Sequence, residues 1–267
     1  MSRYRFALRP KWILSHLFVL ALVVAMLAAG LWQLRRLDQK QARNERIESR
    51  TAEAVVPVED LLAVDRTDGI GDLEYRRVEA SGTYLLDDQV LIRSRSLEGA
   101  PGSWVATPLR LDDGTLLIVN RGWISNSGQH EAVPAAYDRP TGEVTVVGMV
   151  RPSQTRGSIG PVDPADGHLD TLARLDVGRL AEQLDGDVLP AYVQLEAQDP
   201  AVTTADPTPV PREALGEGPH LNYAVQWFIF TTVALVGYPL ILRRRARELE
   251  TEARQADRDA ELVSDPA

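Results

Sequence analysis

Four histidines are the strongest candidate metal ligands in this sequence, because it contains no cysteine. His220 stands at the start of an apolar run, and Tyr223 and Trp227 follow it at i+3 and i+7, on one face of a helix. A neutral imidazole at this place can be an axial haem ligand, and Arg35 and Arg36, at the headgroup level of a first apolar run, suit haem propionates. The alternative is a helix-start histidine that donates to backbone or water.

The other three histidines are weaker candidates. His16 lies near the opposite end of the first apolar run, about 27 Å from the level of His220 at 1.5 Å per residue. The two rings therefore cannot hold one small cofactor. His130 and His168 lie in polar stretches without a second histidine at i+3 or i+4, so we expect them to be exposed.

The segment "NRGWI" ends an apolar strand in an amide, a guanidinium, a glycine and an indole. One interpretation is a partner contact made by Asn120, Arg121, Gly122 and Trp123. The other is packing: Asn120 and Arg121 satisfy backbone carbonyls, Gly122 allows a bulge and Trp123 covers the core. The sequence alone leaves both open.

Charge is distributed unevenly along the 267 residues, whose net charge is -9. Residues 1–52 carry about +7, residues 53–219 about -15 and the rest about -1. The acidic middle argues against nucleic acid as a partner, whereas the basic residues crowd the two apolar runs, where anionic lipid headgroups attract them. The charge pattern therefore predicts a membrane protein.

Two apolar runs are long enough to cross a bilayer about 30 Å thick. Residues 12–34 form the first, with Trp12 and Trp32 at its ends, and residues 220–242 the second, closed by Arg243 to Arg245. A cleaved signal peptide is the alternative for the first run, although that run is longer than the usual apolar region of such a peptide. For the second run the alternative is a buried core helix.

The positive charges beside the runs favour a cytoplasmic location for both termini and an extracytoplasmic location for the middle region. We expect a membrane protein of the α+β class, with two transmembrane helices in a hairpin flanking an antiparallel β-rich extracytoplasmic domain. The predicted parts are a cytoplasmic N-terminus (1–11), a first transmembrane helix (12–34), a polar helical stalk (35–56), the β-rich domain (57–197), a proline-rich connector (198–219), a second transmembrane helix (220–242) and a charged cytoplasmic tail (243–267).

Strand-like composition recurs through the middle region. Strands are predicted over 74–84, 88–96, 103–111, 114–124 and 143–151, with a further one over 192–197. Turn signals at Asp87-Asp88 and Asp112-Asp113-Gly114 suggest that the first four strands run as an antiparallel meander. Asp176 is the predicted N-cap of a short helix through Leu184.

Four stretches together resemble the SURF1 family of cytochrome c oxidase assembly factors. They are "GLWQLRRLDQK" at the end of the first run, "YRRVEASGTY", "GSWVATPLRLDDGTLLIVNRGWI" and "HLNYAVQWF" at the start of the second run. The likeness covers nearly the whole chain, apart from the tail from Arg245 and the proline-rich connector.

The resemblance implies a non-enzymatic factor that acts while the haem a centre of a haem–copper oxidase forms. It implies His220 as the iron ligand of haem a, and oxidase subunit I and haem a synthase as partners beside membrane lipid. The first apolar run begins about a dozen residues from Met1, so we expect a bacterial cell membrane and no transit peptide.

Two other classes of function remain open at this stage. One is a haem-free membrane scaffold that chaperones oxidase subunit association, with "NRGWI" as its contact. The other is a membrane-bound enzyme. The sequence has no GxSxG elbow, phosphate-binding glycine loop or HExxH helix, so the enzyme interpretation has no named nucleophile or base.

Overall fold

The computed structural model describes residues 4–66, 69–126, 130–134, 140–201 and 207–264. The chain divides into two compact units, a helical unit formed by both ends of the chain (up to Asn44 and from Leu215) and a sheet unit over Glu45–Ala214. The helices are α1 (Pro10–Ala52), α2 (Val177–Ala181) and α3 (His220–Ser264). The strands are β1 (Val56–Pro57), β2 (Arg77–Tyr84), β3 (Val90–Leu97), β4 (Ala100–Leu111), β5 (Leu116–Ser125), β6 (Glu143–Pro152), β7 (Thr171–Leu172) and β8 (Val188–Asp199).

In the helical unit, α1 and α3 pack side by side in opposite directions. Along α1 the buried or half-buried positions alternate by three and four residues, through Val23, Met26, Gly30, Gln33 and Leu37. This spacing is that of a coiled-coil seam, which keeps one stripe of a helix against its partner. On α3 the facing positions are Ala224, Thr231 and Tyr238, seven residues apart. We call these eight residues the helix seam.

Gly30 lets the two helices approach closely. A Cβ atom at this position would lie 2.9 Å from the ring of Phe228, so a larger side chain would displace that ring. Small residues serve this purpose in membrane helix pairs, where close van der Waals packing replaces the hydrophobic effect. Close packing against α3 therefore explains why a glycine stands at position 30.

Most apolar side chains of both helices point away from the helix seam. Phe18 on α1 is 67% exposed and Val233 on α3 is 64% exposed. Both helices are long and apolar enough to cross a membrane. A core helix of a water-soluble protein would bury these side chains, so the exposed apolar surface argues against the buried-core alternative for the second run and fits contact with lipid.

Both long helices continue beyond their apolar parts. The polar end of α1 reaches Ala52, and α3 extends past Arg243 to Ser264. In the extension of α3, Arg244 lies 3.0 Å from Glu248 at i+4, a pairing that supports an exposed helix. The segment predicted as a charged tail is therefore helical over the residues described.

The sheet unit is a strand ring with additional edge strands. Strands follow the order β1-β2-β6-β8-β5-β4-β3-β7, and a further pairing of β2 with β4 closes β2, β6, β8, β5 and β4 into a ring. At the closure Gly82 lies opposite Leu111, and a Cβ at Gly82 would collide with the carbonyl of Arg110. Closing the ring removes strand edges that would otherwise be open to aggregation.

Most strand positions were predicted correctly, but one part of the predicted meander was wrong. Strands β3, β4 and β5 are consecutive antiparallel neighbours, as expected. Strand β2 does not pair with β3: it pairs with β6 and with the end of β4. The short 3₁₀ turn Leu86–Asp88 leads the chain along the same side of β4, so β2 and β3 follow one another against that strand.

Two apolar cores lie on opposite faces of β5. Leu117 and Val119 belong to the core inside the ring, whereas Ile118 belongs to a second core beneath α2. Because both faces of β5 are covered, its first four residues, Leu116–Val119, are continuously apolar rather than alternating. Its neighbour β8 is parallel to it, so the sheet is mixed although most pairs are antiparallel. Asp176 caps α2 by accepting from the Arg179 amide, as predicted.

Candidate functional site

His220 is the first residue of α3, and its ring is oriented by α1. Its Nδ1 lies 2.8 Å from Oε1 of Gln33. Because an amide oxygen can only accept a hydrogen bond, this contact places the hydrogen of a neutral imidazole on Nδ1. The lone pair then lies on Nε2, the arrangement that metal-ligating histidines have when a second group fixes their tautomer.

The other residues predicted for this site lie on the same two helices. Tyr223 is 47% exposed and Trp227 is half-buried, with Trp227 in edge contact with Phe230 at 6.1 Å. Arg35 and Arg36 are exposed on α1 just beyond Gln33. Arg36 donates to Gln39 at 3.0 Å, and within the described residues no ion pair joins either arginine to α3. The structure thus brings His220 and Gln33 into direct contact, and the predicted aromatic and basic residues occupy adjacent turns.

His16 belongs to a separate polar cluster at the other end of the helix seam. Its Nδ1 lies 2.6 Å from the hydroxyl of Tyr238, which also lies 3.0 Å from Ser15 Oγ. Its Nε2 lies 3.1 Å from the carbonyl of Ala7. Both ring nitrogens are therefore engaged within the helical unit, which explains His16 as a helix-pairing residue.

Neither of the remaining histidines belongs to a metal-binding group among the residues that the structure describes. His168 is 48% exposed and lies 3.7 Å from Asp170, whereas His130 is half-buried rather than exposed as we expected. Across the described ranges, no group of three or more His, Asp or Glu side chains is placed to hold a metal ion.

The four residues of "NRGW" are buried in β5. Exposure is 1% for Asn120, 3% for Arg121 and 9% for Trp123. Pairing of β5 with β4 jumps from Asn120 to Gly122, which leaves Arg121 as the extra residue of a bulge. Its guanidinium lies 5.1 Å from the ring centre of Tyr84, a cation–π contact in the sheet unit. Burial raises the pKa of Tyr84, and the charge of Arg121 opposes this rise.

Gly122 and Trp123 form a contact with the segment that follows β8. The amide of Trp123 donates to the carbonyl of Thr208 at 2.7 Å, and the Thr208 amide donates back at 2.8 Å. Gly122 has φ +148°, and a Cβ there would lie 2.5 Å from the Thr208 carbonyl oxygen. For Gly122 and Trp123 this geometry is that of the packing interpretation. Asn120 differs from it: its Oδ1 accepts from the Gly122 amide, and its Nδ2 has no hydrogen-bond partner among the described residues. The partner-contact role of Asn120 to Trp123 stays a prediction.

Comparison with known proteins places this architecture in a family. The SURF1 family model matches residues 20–232, which include the sheet unit and the adjoining part of each apolar helix. The chain belongs to the SURF1 family. The resemblance inferred from the sequence motifs is therefore confirmed, and SURF1-family proteins are assembly factors of cytochrome c oxidase rather than a family of enzymes.

Individual SURF1-like proteins match over most of their length. One from Mycobacterium bovis is 30% identical over 256 residues, covering 94% of this chain and 91% of that protein. One from Rickettsia bellii is 26% identical over 247 residues, covering 90% and 96% respectively. One from Dictyostelium discoideum is 24% identical over 267 residues, covering 85% and 96%.

The specific roles of Gln33 and Tyr238 were missed from the sequence of this SURF1-family chain. Neither residue is among the site residues that the sequence predicts. The polar amide within an apolar run was the signal that could have found Gln33, because a polar side chain in such a run usually faces a neighbouring helix rather than lipid.

Proposed function

We propose that this protein assists assembly of haem–copper cytochrome c oxidase in a bacterial cell membrane by holding haem a at His220 while the haem centre of subunit I forms. In this proposal both termini are cytoplasmic and the sheet unit is extracytoplasmic. The observation that supports it most is the 2.8 Å contact between His220 Nδ1 and Gln33, which leaves Nε2 as a nitrogen donor.

The residues present suit the group. His220 would hold the iron through Nε2, and Tyr223 and Trp227 would supply aromatic surface for a planar macrocycle. Arg35 and Arg36, exposed and without a carboxylate partner in the described part of the chain, supply positive charge for propionates. Bound haem a is the redox centre destined for the oxidase, so the protein's task is to hold and orient it.

Transfer of haem a to a partner requires that this protein hold the haem through fewer ligands than the iron can bind. Within the described residues no second histidine lies near His220, because His16 is held by Tyr238 at the far end of the helix seam. Held by His220 alone, haem a would be available to a ligand supplied by the receiving subunit. This supports a transfer role between haem a synthase and subunit I rather than permanent storage.

A visible spectrum of the purified protein tests the proposal. The chain is co-expressed with the enzymes of haem a synthesis, purified in detergent and compared with His220→Ala and with His168→Ala, a control at an exposed histidine of the sheet unit. We expect the haem absorbance to be lost in His220→Ala and kept in His168→Ala, with all three proteins folded. Retention of stoichiometric haem by His220→Ala would refute the ligand role.

The haem-free scaffold makes the opposite prediction. The wild-type protein would be colourless under the same conditions, and cells without it would contain oxidase with normal haem content but defective subunit association. Haem content of the oxidase isolated from such cells therefore separates the two functions.

A further inference from the structure

The sheet unit contains a cleft lined by three arginines. It has a volume of about 740 Å³ and lies beside β3, the first half of β4 and the segment around residues 154–174. Its polar lining includes Arg93, Arg95, Arg174, Ser94 and Gln154, and Trp104 supplies an aromatic wall. Residues 53–219 carry about -15 in total, so this concentration of positive charge runs against the composition of the unit.

The positive charge in the cleft is only partly compensated. Arg93 lies 2.9 Å from Asp163, an ion pair. Arg95 instead donates to the amide oxygen of Gln154 at 2.8 Å, and Arg174 donates to the carbonyl of Pro161 at 2.9 Å. Within the described ranges Asp163 is the one carboxylate paired with these three guanidinium groups. The cleft therefore keeps a net positive charge.

Arg95 is held in a position that leaves donor capacity unused. Its guanidinium lies 4.6 Å from the ring centre of Trp104, and its Nε is enclosed without a hydrogen-bond partner among the described residues. Burial lowers the pKa of Arg95; Tyr192 opposes this shift and the charge of Arg174 adds to it. Among the described residues, the hydrogen bonds of the Arg95 Nη atoms go to neutral acceptors only, namely Ser94 O, Gln154 Oε1 and Ala173 O, so an anionic ligand in the cleft would offer these atoms a stronger, charge-assisted bond.

The "NRGW" segment fixes the backbone on which Arg95 stands. The indole N–H of Trp123 donates to the carbonyl of Arg95 at 3.1 Å. Strand β3 has a bulge between Ile92 and Arg95, with Ser94 at φ +58°, so the side chains on either side of Ser94 are turned out of regular alternation. Trp123 therefore serves as a support for the cleft.

We propose that this cleft binds an oxyanion, a phosphate or carboxylate group carried by a small molecule. Its volume lies within the roughly 300–1,000 Å³ of small-molecule sites. The planar guanidinium groups of Arg95 and Arg174 match the paired oxygens of either group. The side chains that form the cleft belong to the sheet unit, so this inference does not depend on His220 or on haem.

Calorimetric titration of the full-length protein in detergent tests this site. The buffer is free of phosphate and carboxylates, no haem is present, and the probes are inorganic phosphate and succinate, with a polyglutamate peptide titrated separately. We expect saturable binding of at least one probe, weakened roughly tenfold or more by Arg174→Gln, because a charge-assisted hydrogen bond is lost. Phosphate binding alone identifies a phosphate site, and succinate binding alone identifies a carboxylate site.

Arg110→Gln is the matched control. Arg110 is exposed on β4 outside the cleft, and its substitution makes the same change in net charge. We expect the affinity of the Arg110→Gln variant for the bound probe to stay within about twofold of the wild-type affinity. If Arg174→Gln does not fold, Arg93→Gln replaces it, because the Arg93 side chain is 50% exposed and tolerates replacement better.

Three outcomes would overturn the proposal. One is the absence of binding of either probe at concentrations on the order of 10 mM. Another is equal weakening by the cleft variant and by Arg110→Gln, which would indicate diffuse electrostatic attraction. The third is binding of a polyglutamate peptide but of neither small anion, which would indicate an acidic protein segment as the ligand.

Discussion

Gln33 and His220 are in contact across the helix seam, with 2.8 Å between Oε1 and Nδ1, although 187 positions separate them in the chain. The contact joins the C-terminal part of the apolar segment of α1 to the first residue of α3. It determines which nitrogen of His220 carries hydrogen and therefore which nitrogen can bind a metal. The chemistry proposed for His220 thus depends on a residue of the other helix.

Substitution of Gln33 should weaken haem binding without removing the ligand. We expect Gln33→Leu to lower haem affinity about 10- to 100-fold, because loss of an outer partner frees the tautomer and the orientation of the imidazole. Gln33→Glu keeps an acceptor at this position and should bind at least as well as the wild type. Haem titration followed by absorbance measures both, and equal affinity in Gln33→Leu and wild type would contradict the positioning role.

Tyr238→Phe should loosen the opposite end of the helix seam. The change removes the hydroxyl that contacts His16 at 2.6 Å and Ser15 at 3.0 Å. Interhelical hydrogen bonds in membranes contribute roughly 0.6–2 kcal/mol each, so we expect Tm in detergent to fall by a few degrees. Tyr4→Phe, at an exposed tyrosine before α1, is the control; an equal fall in both variants would count against the pairing role.

Gly122→Ala should destabilise the sheet unit strongly. A Cβ there would lie 2.5 Å from the Thr208 carbonyl oxygen. In addition, the backbone angle φ of +148° is one that residues other than glycine rarely adopt. Gly114→Ala separates the two effects, because Gly114 has φ +90° with open space around it. We expect a cost of about 1–3 kcal/mol for Gly114→Ala and more for Gly122→Ala in denaturant unfolding.

Hydrogen exchange provides a local check on Gly122→Ala. The amides of Trp123 and Thr208 donate to each other's carbonyls. Their hydrogen-exchange rates should rise in Gly122→Ala and stay unchanged in Gly114→Ala. Unaltered protection of both amides would show that the segment after β8 does not depend on the glycine.

Asp176→Ala should weaken the short helix α2 and the core beneath it. The Asp176 side chain accepts from the Arg179 amide, and loss of such a cap costs about 0.5–2 kcal/mol. Asp185→Ala, at an exposed aspartate after α2, should change the free energy of unfolding by less than about 0.5 kcal/mol. A cost for Asp176→Ala no greater than that of Asp185→Ala would contradict the capping role.

Local patterns in the sequence were sufficient for the secondary structure and for the family. Apolar runs of about 20 residues indicate helices long enough for a bilayer, and alternating β-branched residues indicate strands. Both patterns depend only on residues that are close together in the sequence. Asp176 was found as a cap in the same way. The pairing of β2 was predicted wrongly, because strand pairing depends on ring closure at Gly82 and Leu111, which no local pattern contains.

The sequence by itself determined the two apolar helices, the β-rich region between them and the place of His220 at the start of the second helix. Tertiary structure alone decided that Gln33 orients His220, that Tyr238 engages His16, and that Trp123 supports Arg95. The physical reason is that periodicity and composition act along neighbouring residues, whereas a hydrogen bond forms only between groups that the fold brings within about 3 Å of each other.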